Sequence, residues 1–182
     1  MGPSDYLLLE LLDRLGGVQG RKKLQKLVYI AKVGGLPIED DYFFHYYGPY
    51  SSGLASRVDQ LVERKRLEET PRPLAVAEGV EYGYLVTDAA RKSLESVRPD
   101  VPNQFREAME RGIGRAAALK DRDVFQLELA STLLYWLDKG HSWDEAEAIT
   151  ERRKKADRNS NAFKEARQIA GEVWQAREQA GE

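Results

Sequence analysis

Two amphipathic helical patterns on either side of an aromatic segment constrain this chain more than any other feature, and they lie between Gly20 and Leu67. Apolar residues recur in both patterns at the i, i+3, i+4 spacing that places side chains on one helix face. They are Leu24, Leu27, Val28 and Ala31 in the first pattern, and Leu54, Val58, Leu61 and Val62 in the second. The segment between them, Tyr42–Tyr47, favours a strand and ends at Gly48-Pro49. The sequence therefore predicts two helices that bracket a short strand.

The elements predicted over residues 1–97 follow one another in the order of a winged helix. Ser4, Ser51 and Thr87 are each placed to cap a helix N-terminus. Prolines and glycines exclude a helix after Leu67 and favour a β-hairpin. The predicted elements are helices over Asp5–Leu15, Gly20–Val33, Leu54–Leu67 and Asp88–Ser96, and hairpin strands over Leu74–Ala77 and Tyr82–Val86. The expected fold is mainly α with a small β-hairpin and a winged-helix-like N-terminal half.

Arg98–Pro102 is the clearest break in the chain, because two prolines interrupt a continuous helix. Beyond it, residues 103–182 read as a helical C-terminal region packed on the first domain. The predicted helices are Asn103–Leu119, Arg122–Lys139, Ser142–Lys154 and Asn161–Arg177. Leu127–Leu137 is apolar in nearly all directions and must be enclosed. Either its own neighbours bury it, or it forms the seam of a homodimer.

Composition bounds the function. The 182 residues carry a net charge of −2, so nucleic-acid binding would need a local basic patch. The absence of cysteine removes disulfides and thiolate metal sites. Neither a signal-peptide pattern nor an apolar run of roughly 20 residues is present, which predicts a cytoplasmic protein without a membrane span.

Recognisable reaction chemistry is missing from the sequence. The two histidines, His45 and His141, lie in different halves of the chain and lack a zinc-ligand spacing. Gly16-Gly17 lacks the Gly-Lys-Ser/Thr ending of a phosphate-binding loop. We therefore expect no enzymatic activity, no cofactor and no metal.

A candidate docking surface follows from the helical geometry. Lys22, Lys26 and Tyr29 share the helix face opposite the apolar stripe. This face is either a solvated lysine face or a recognition surface. The third helix begins with small polar residues that allow close approach to a partner. The full predicted surface comprises Arg21, Lys22, Lys26, Tyr29, Tyr47, Tyr50, Ser52, Ser56, Arg57 and Gln60. The basic stretch Arg152–Lys155 complements its helix dipole, and phosphate contact is the alternative.

Four segments resemble the YwgA-like proteins and, more distantly, the SocA-like (Panacea) antitoxin domains. They are Gly20–Ile30 with its Lys-Leu-Gln-Lys-Leu run, Phe44–Ser51 with its Tyr-Gly-Pro turn, Leu61–Leu67 and Leu85–Asp88. The resemblance covers roughly residues 20–94, and Leu129–Leu137 extends it more weakly. It implies a winged-helix-like, α-rich fold without enzymatic activity. Panacea domains are antitoxins that bind a protein toxin, and some act as proteolytic adaptors.

The hypothesis that follows is a non-enzymatic macromolecule-binding module. With DNA as partner it would be a transcriptional regulator, the hairpin Thr70–Val86 would be the wing, and Arg72 would touch phosphate. With a toxin-like protein as partner, Tyr46, Tyr47 and Tyr50 would be aromatic anchors. A third hypothesis is a small-molecule sensor between the wing and the C-terminal helices, based on the aromatic residues Tyr135, Trp136 and Trp143.

Overall fold

The chain is mainly helical with two small antiparallel sheets, as a computed structural model describes it over residues 1–74 and 79–179. The helices are α1 Pro3–Leu15, α2 Arg21–Val33, α3 Ser52–Glu63, α4 Asp88–Val97, α5 Asn103–Leu119, α6 Val124–Asp138, α7 Trp143–Lys154 and α8 Asn161–Gln179. The strands are β1 Val18–Gln19, β2 Phe43–His45, β3 Gly48–Tyr50, β4 Leu67–Pro73 and β5 Val80–Val86. A short 3-10 turn at Arg98–Asp100 joins the two halves of the chain.

The larger sheet has the strand order β1-β5-β4. β4 and β5 form the predicted hairpin, with Leu67 opposite Val86 and Pro73 opposite Val80. The first strand lies earlier than the predicted Leu74–Ala77, of which residues 75–77 lie outside the described residues. Pro71 and Pro73 are compatible with this strand because β4 is at the edge of the sheet, where a missing N–H breaks no ladder bond.

The smaller sheet is a tight hairpin between α2 and α3. The sequence predicted one strand over Tyr42–Tyr47, whereas β2 and β3 pair with His45 opposite Gly48, so that Tyr46 and Tyr47 form the turn. Gly48 has φ +86° and its Cα faces α6, where an added Cβ would lie 2.7 Å from Thr132 Oγ1. Glycine is therefore required on both conformational and steric grounds.

α2 is enclosed on nearly every side and forms the centre of the molecule. It packs against α5, α6 and α8 from the C-terminal half and against β1, β3 and β5. The prediction that Lys26 and Tyr29 face solvent is wrong, since each side chain is 2% exposed. The helical period correctly separated a polar face from an apolar one, but α6 and the β2–β3 hairpin cover the polar face.

α6 is buried by its own chain. Leu127, Leu133 and Leu134 are fully enclosed by α2, α7, α8 and β3. Within residues 124–138, Phe125 is the one apolar side chain that stays exposed. The homodimer seam predicted along Leu127–Leu137 therefore lacks the exposed apolar face that it requires.

Most predicted helix caps are confirmed. Ser51 Oγ accepts a hydrogen bond from Leu54 N at 3.1 Å, and Thr87 caps α4 in the same way. Ser142 and Glu145 form a capping box at the start of α7. The Ser4 cap is wrong, because α1 begins at Pro3 with Gly2 as its N-cap.

Close packing of α5 on the turn after α2 predicts opposite effects of two alanine substitutions. A Cβ at Gly112 would lie 2.4 Å from Leu36 N and 2.7 Å from Ala31 O, whereas Gly114 on the same helix has nothing within 4 Å. We expect Gly112→Ala to destabilise the protein by about 1–3 kcal/mol through overpacking. Gly114→Ala should stabilise it by about 0.5–1 kcal/mol through helix propensity. Urea unfolding measures both, and equal effects of the two substitutions would contradict the packing.

Candidate functional site

A cavity of about 220 Å³ lies between α2, the β2–β3 hairpin and α3. Its cationic lining residues are Arg21, Lys22 and Lys26. Its aromatic lining residues are His45, Tyr47 and Tyr50. Leu24, Ala55 and Val58 supply an apolar wall. The structure thus brings five of the predicted surface residues together around a concavity rather than along an outward helix face.

Lys26 is a buried cation beside this cavity. Its ammonium donates a hydrogen bond to Pro49 O at 2.7 Å, and no carboxylate of the described residues forms an ion pair with it. Burial lowers the pKa of Lys26 to about 7, the Glu128 carboxylate partly offsets this effect, and the positive charges of Lys154 and Lys22 reinforce it. Lys26 therefore changes charge near neutral pH.

Glu128 on α6 is the counter-ion at the centre of the site. The residue is 4% exposed, and its carboxylate forms ion pairs with Lys22 from α2 and with Lys154 from α7, the latter at 2.8 Å. Burial raises the pKa of Glu128, but the two lysines outweigh it and hold that pKa below its usual range. Lys154 Nζ also donates to Tyr46 O at 2.7 Å, so the same network fixes the hairpin turn.

Gln25 fixes the start of α3. Its amide nitrogen donates to Ser51 O at 2.9 Å, and its amide oxygen accepts from Ser51 N at 3.0 Å. Both partners are buried, so these hydrogen bonds are shielded from water. The two bonds set the distance between α2 and α3, and hence the width of the cavity.

Two arginines predicted to contact a partner hold elements of the fold together instead. Arg21 forms ion pairs with Asp59 of α3 at 2.8 Å and with Glu69 of β4 at 2.9 Å. Arg57 pairs with Asp40 at 3.1 Å and with Asp5 of α1 at 3.2 Å. Both arginines are therefore paired within the fold, and helical periodicity does not reveal this because the acids lie at a distance in the sequence.

Tyr29 also belongs to the interior. Its ring packs on Tyr42, with ring centroids 4.7 Å apart, and near Tyr135 at 6.3 Å. Burial raises the pKa of Tyr29, and its hydroxyl has no hydrogen-bond partner among the described residues. Tyr29 therefore stabilises the packing between α2 and α6 and does not reach the surface.

The remaining predicted residues are exposed but lie apart from the cavity. Ser52, Ser56 and Gln60 lie on the outer face of α3, as predicted. Asp59 and Glu63 are exposed on the same helix and would repel phosphate. Arg72 is exposed on β4 and lines a different, shallow depression near Gly17 and Val18.

The hairpin presents its aromatic side chains to solvent. Tyr46 is 80% exposed, Tyr47 is 49% exposed and Phe43 is 47% exposed. Lys22 Nζ lies 4.4 Å from the centroid of the Tyr47 ring, a cation–π contact at the cavity mouth. The tyrosines at the turn therefore project from the body of the protein.

A second, more open cavity of about 580 Å³ lies on the other side of the hairpin. Phe44, His45 and Tyr46 line it together with Arg152 and Arg153 from the end of α7. The basic stretch predicted to complement its helix dipole thus also borders the hairpin. Aromatic side chains flanked by cations occur on both faces of this hairpin.

Glu128 and Lys154 were missed as members of the site, although the sequence carries a signal for Glu128. It is the one charged residue between Val124 and Leu137, and a carboxylate in an enclosed apolar helix requires a cationic partner. No comparable signal identifies Lys154, because it lies within a basic run whose other members, Arg152, Arg153 and Lys155, are exposed.

The described residues offer neither a metal centre nor a membrane span. No group of three or more histidine, aspartate or glutamate side chains among residues 1–74 and 79–179 is placed to hold a metal ion. Across the same residues, every helix is too short or too polar to cross a bilayer.

Comparison with known proteins finds one informative similarity. The chain is 32% identical to the uncharacterized protein YwgA of Bacillus subtilis (strain 168) over 129 residues. The aligned region covers 71% of this chain and 72% of that protein. No model of a protein family matches the chain.

Titration of Lys26 predicts a pH-dependent stability. Its pKa is about 7 in the folded protein and near 10.5 when unfolded, so the unfolded chain binds more protons between these values and stability rises with pH. We expect the free energy of unfolding of the wild type, relative to Lys26→Met, to increase between pH 7 and 9 by about 1 kcal/mol per pH unit.

Urea unfolding at several pH values measures this difference. Lys23→Met is the matched control, because it removes a partly exposed lysine from the same helix and reports the general effect of losing one positive charge. A difference for Lys26→Met that stays flat with pH, or that parallels the control, would contradict the buried titration.

Proposed function

The chain belongs to the YwgA-like family, and we propose that it is a non-enzymatic protein-binding module that engages an acidic partner protein through the β2–β3 hairpin. The observation that carries this proposal is the exposed aromatic hairpin with a cation-lined cavity on either face. Exposed tyrosines with neighbouring arginines are the composition of protein-interface hot spots.

Rigidity of the hairpin supports the proposal. The turn is fixed from below by Lys154 bonded to Tyr46 O and by Lys26 bonded to Pro49 O. Gly48 lies directly against α6. An aromatic anchor on a preorganised turn loses little conformational entropy when it binds, which increases affinity.

Charge favours an acidic partner. Arg152 and Arg153 are exposed beside Tyr46, and neither cavity is lined by an aspartate or glutamate among the described residues. A protein surface that carries carboxylates would be steered toward this face. A toxin-like partner, as in the Panacea antitoxins, is one protein of this kind.

We expect Tyr46→Ser to reduce partner capture by at least about tenfold, because truncation of a central aromatic anchor costs roughly 2 kcal/mol or more. Tyr82→Ser is the matched control, since Tyr82 is an exposed tyrosine on the other sheet. The measurement is an affinity pull-down from a nuclease-treated native lysate, quantified by mass spectrometry. Equal capture by the two variants would rule out the hairpin as the binding surface.

A second pair of variants tests whether binding requires the positive charge beside Tyr46. Arg153→Glu should weaken capture of the same protein, because it reverses the charge beside Tyr46. Arg122→Glu, an exposed arginine before α6, should leave capture unchanged. If neither substitution changes the capture, the hypothesis that the partner presents an acidic surface is contradicted.

DNA is the second candidate partner, and two observations favour it. The order α1-β1-α2-β2-β3-α3-β4-β5 with sheet order β1-β5-β4 supports a winged-helix arrangement, with the β2–β3 hairpin inserted between α2 and α3. The outer face of α3 presents Ser52, Ser56 and Gln60. Against DNA stand Asp59 and Glu63 on the same helix and the pairing of Arg21 with two carboxylates.

A gel shift distinguishes this candidate from the first. If α3 and the β4–β5 wing bind duplex DNA, Ser56→Glu together with Arg72→Glu should lower the affinity by more than about tenfold, and added salt should lower it steeply. Wild-type protein that retards no duplex at low salt would remove DNA as the partner.

A further inference from the structure

The cavity beside Lys26 has features that the hairpin's aromatic surface does not explain. We propose that it is a socket for the C-terminal residue of a partner polypeptide, whose apolar side chain lies against Leu24, Ala55 and Val58 and whose terminal carboxylate faces Lys22 and Lys26. This inference rests on the proposed protein-binding function and names the part of the partner that is recognised.

Size limits the occupant. The cavity of about 220 Å³ is smaller than the roughly 300–1,000 Å³ that drug-sized ligands and cofactors occupy. A single amino-acid residue fits this volume. The exposed Tyr47, which lines the cavity, extends the contact surface to the residues that precede it.

The lining is divided by chemistry. One wall is aliphatic, formed by Leu24, Ala55 and Val58, and another carries the cations Lys22 and Lys26. The occupant must therefore present an apolar group and a negative charge within one residue. In a polypeptide, an apolar C-terminal residue meets both requirements, because its side chain and its carboxylate share one Cα.

The balance of charges at the site also favours a carboxylate as the occupant of the cavity. Glu128 pairs with Lys22 and Lys154, which leaves Lys26 bonded to a backbone carbonyl and without an ion pair among the described residues. Keeping Lys26 protonated in this buried position is costly without a counter-ion. A carboxylate in the cavity supplies the missing charge, and Lys22, which is partly exposed, can turn toward it from Glu128.

The test uses fluorescently labelled short peptides of neutral sequence that end in Leu, Ile, Val, Met, Phe or Tyr. Each is made with a free C-terminal carboxylate and as its C-terminal amide, and binding to the full chain is followed by fluorescence anisotropy. We expect at least one free-acid peptide to bind tighter than its amide by about tenfold or more. Acid and amide forms that bind equally, or no binding of any free-acid peptide up to about 1 mM, would overturn the proposal.

Matched variants place the binding in the cavity. Ala55→Leu fills the cavity from α3 and should abolish binding, whereas Ser56→Leu adds the same side chain on the exposed face and should not. Lys26→Met should reduce the preference for acid over amide. Thermal unfolding shows that each variant is folded, and loss of binding in Ser56→Leu as well as in Ala55→Leu would overturn the location.

A free carboxylic acid is the competing occupant. N-acetyl-leucine that displaces the peptide with equal affinity would overturn the polypeptide C-terminus as the ligand. If the cavity does not bind a polypeptide C-terminus, Tyr46→Ser should still reduce partner capture. Failure of the proposed function removes that effect instead, so the two failures are distinguishable.

Discussion

The arrangement around the hairpin depends on the ion pairs that the buried Glu128 carboxylate forms with two lysines. This carboxylate joins α6 to α2 through Lys22 and to α7 through Lys154, and Lys154 continues to the backbone of Tyr46. Each ion needs the others, because an isolated buried charge costs several kcal/mol. Three helices and one turn are therefore held in a single arrangement by charges that no one element contributes alone.

A consequence is that the two halves of the chain build one site. The cavity is lined by α2, the hairpin and α3, all of which precede the break at Arg98–Pro102. The counter-charge and the hydrogen bond to the turn come from Glu128 and Lys154, which follow it. The predicted division into residues 1–97 and 103–182 marks a change of secondary structure, while the electrostatics of the site cross it.

Much of the fold could be predicted from local sequence signals. Helix α5 spans the predicted Asn103–Leu119, directly after Pro102, and the Ser51 and Thr87 caps are in place because capping is decided within a few residues. The resemblance to the YwgA-like proteins was likewise visible in short motifs. These features depend on neighbours in the chain.

The candidate site was harder to predict because its contacts are distant in sequence. A helical wheel shows that Lys26 and Tyr29 lie off the apolar stripe, but it does not show that α6 and the β2–β3 hairpin cover them. The sequence predicted Arg21 to be a free cation, because nothing in it indicates that Glu69 of β4 forms an ion pair with this arginine. Glu128 was missed as well, although a lone acid in an apolar helix indicates that a cationic partner lies nearby.

The prolines of β4 have a further consequence, which concerns the behaviour of the protein in concentrated solution. Pro71 and Pro73 are two residues apart, so their ring nitrogens face the same side of the strand, away from β5. That side is the open edge of the sheet, where N–H groups would otherwise invite strand addition by another copy. The loss of these two donors disfavours edge-to-edge pairing at this end of β4, next to the exposed Val80 and Leu85 of β5.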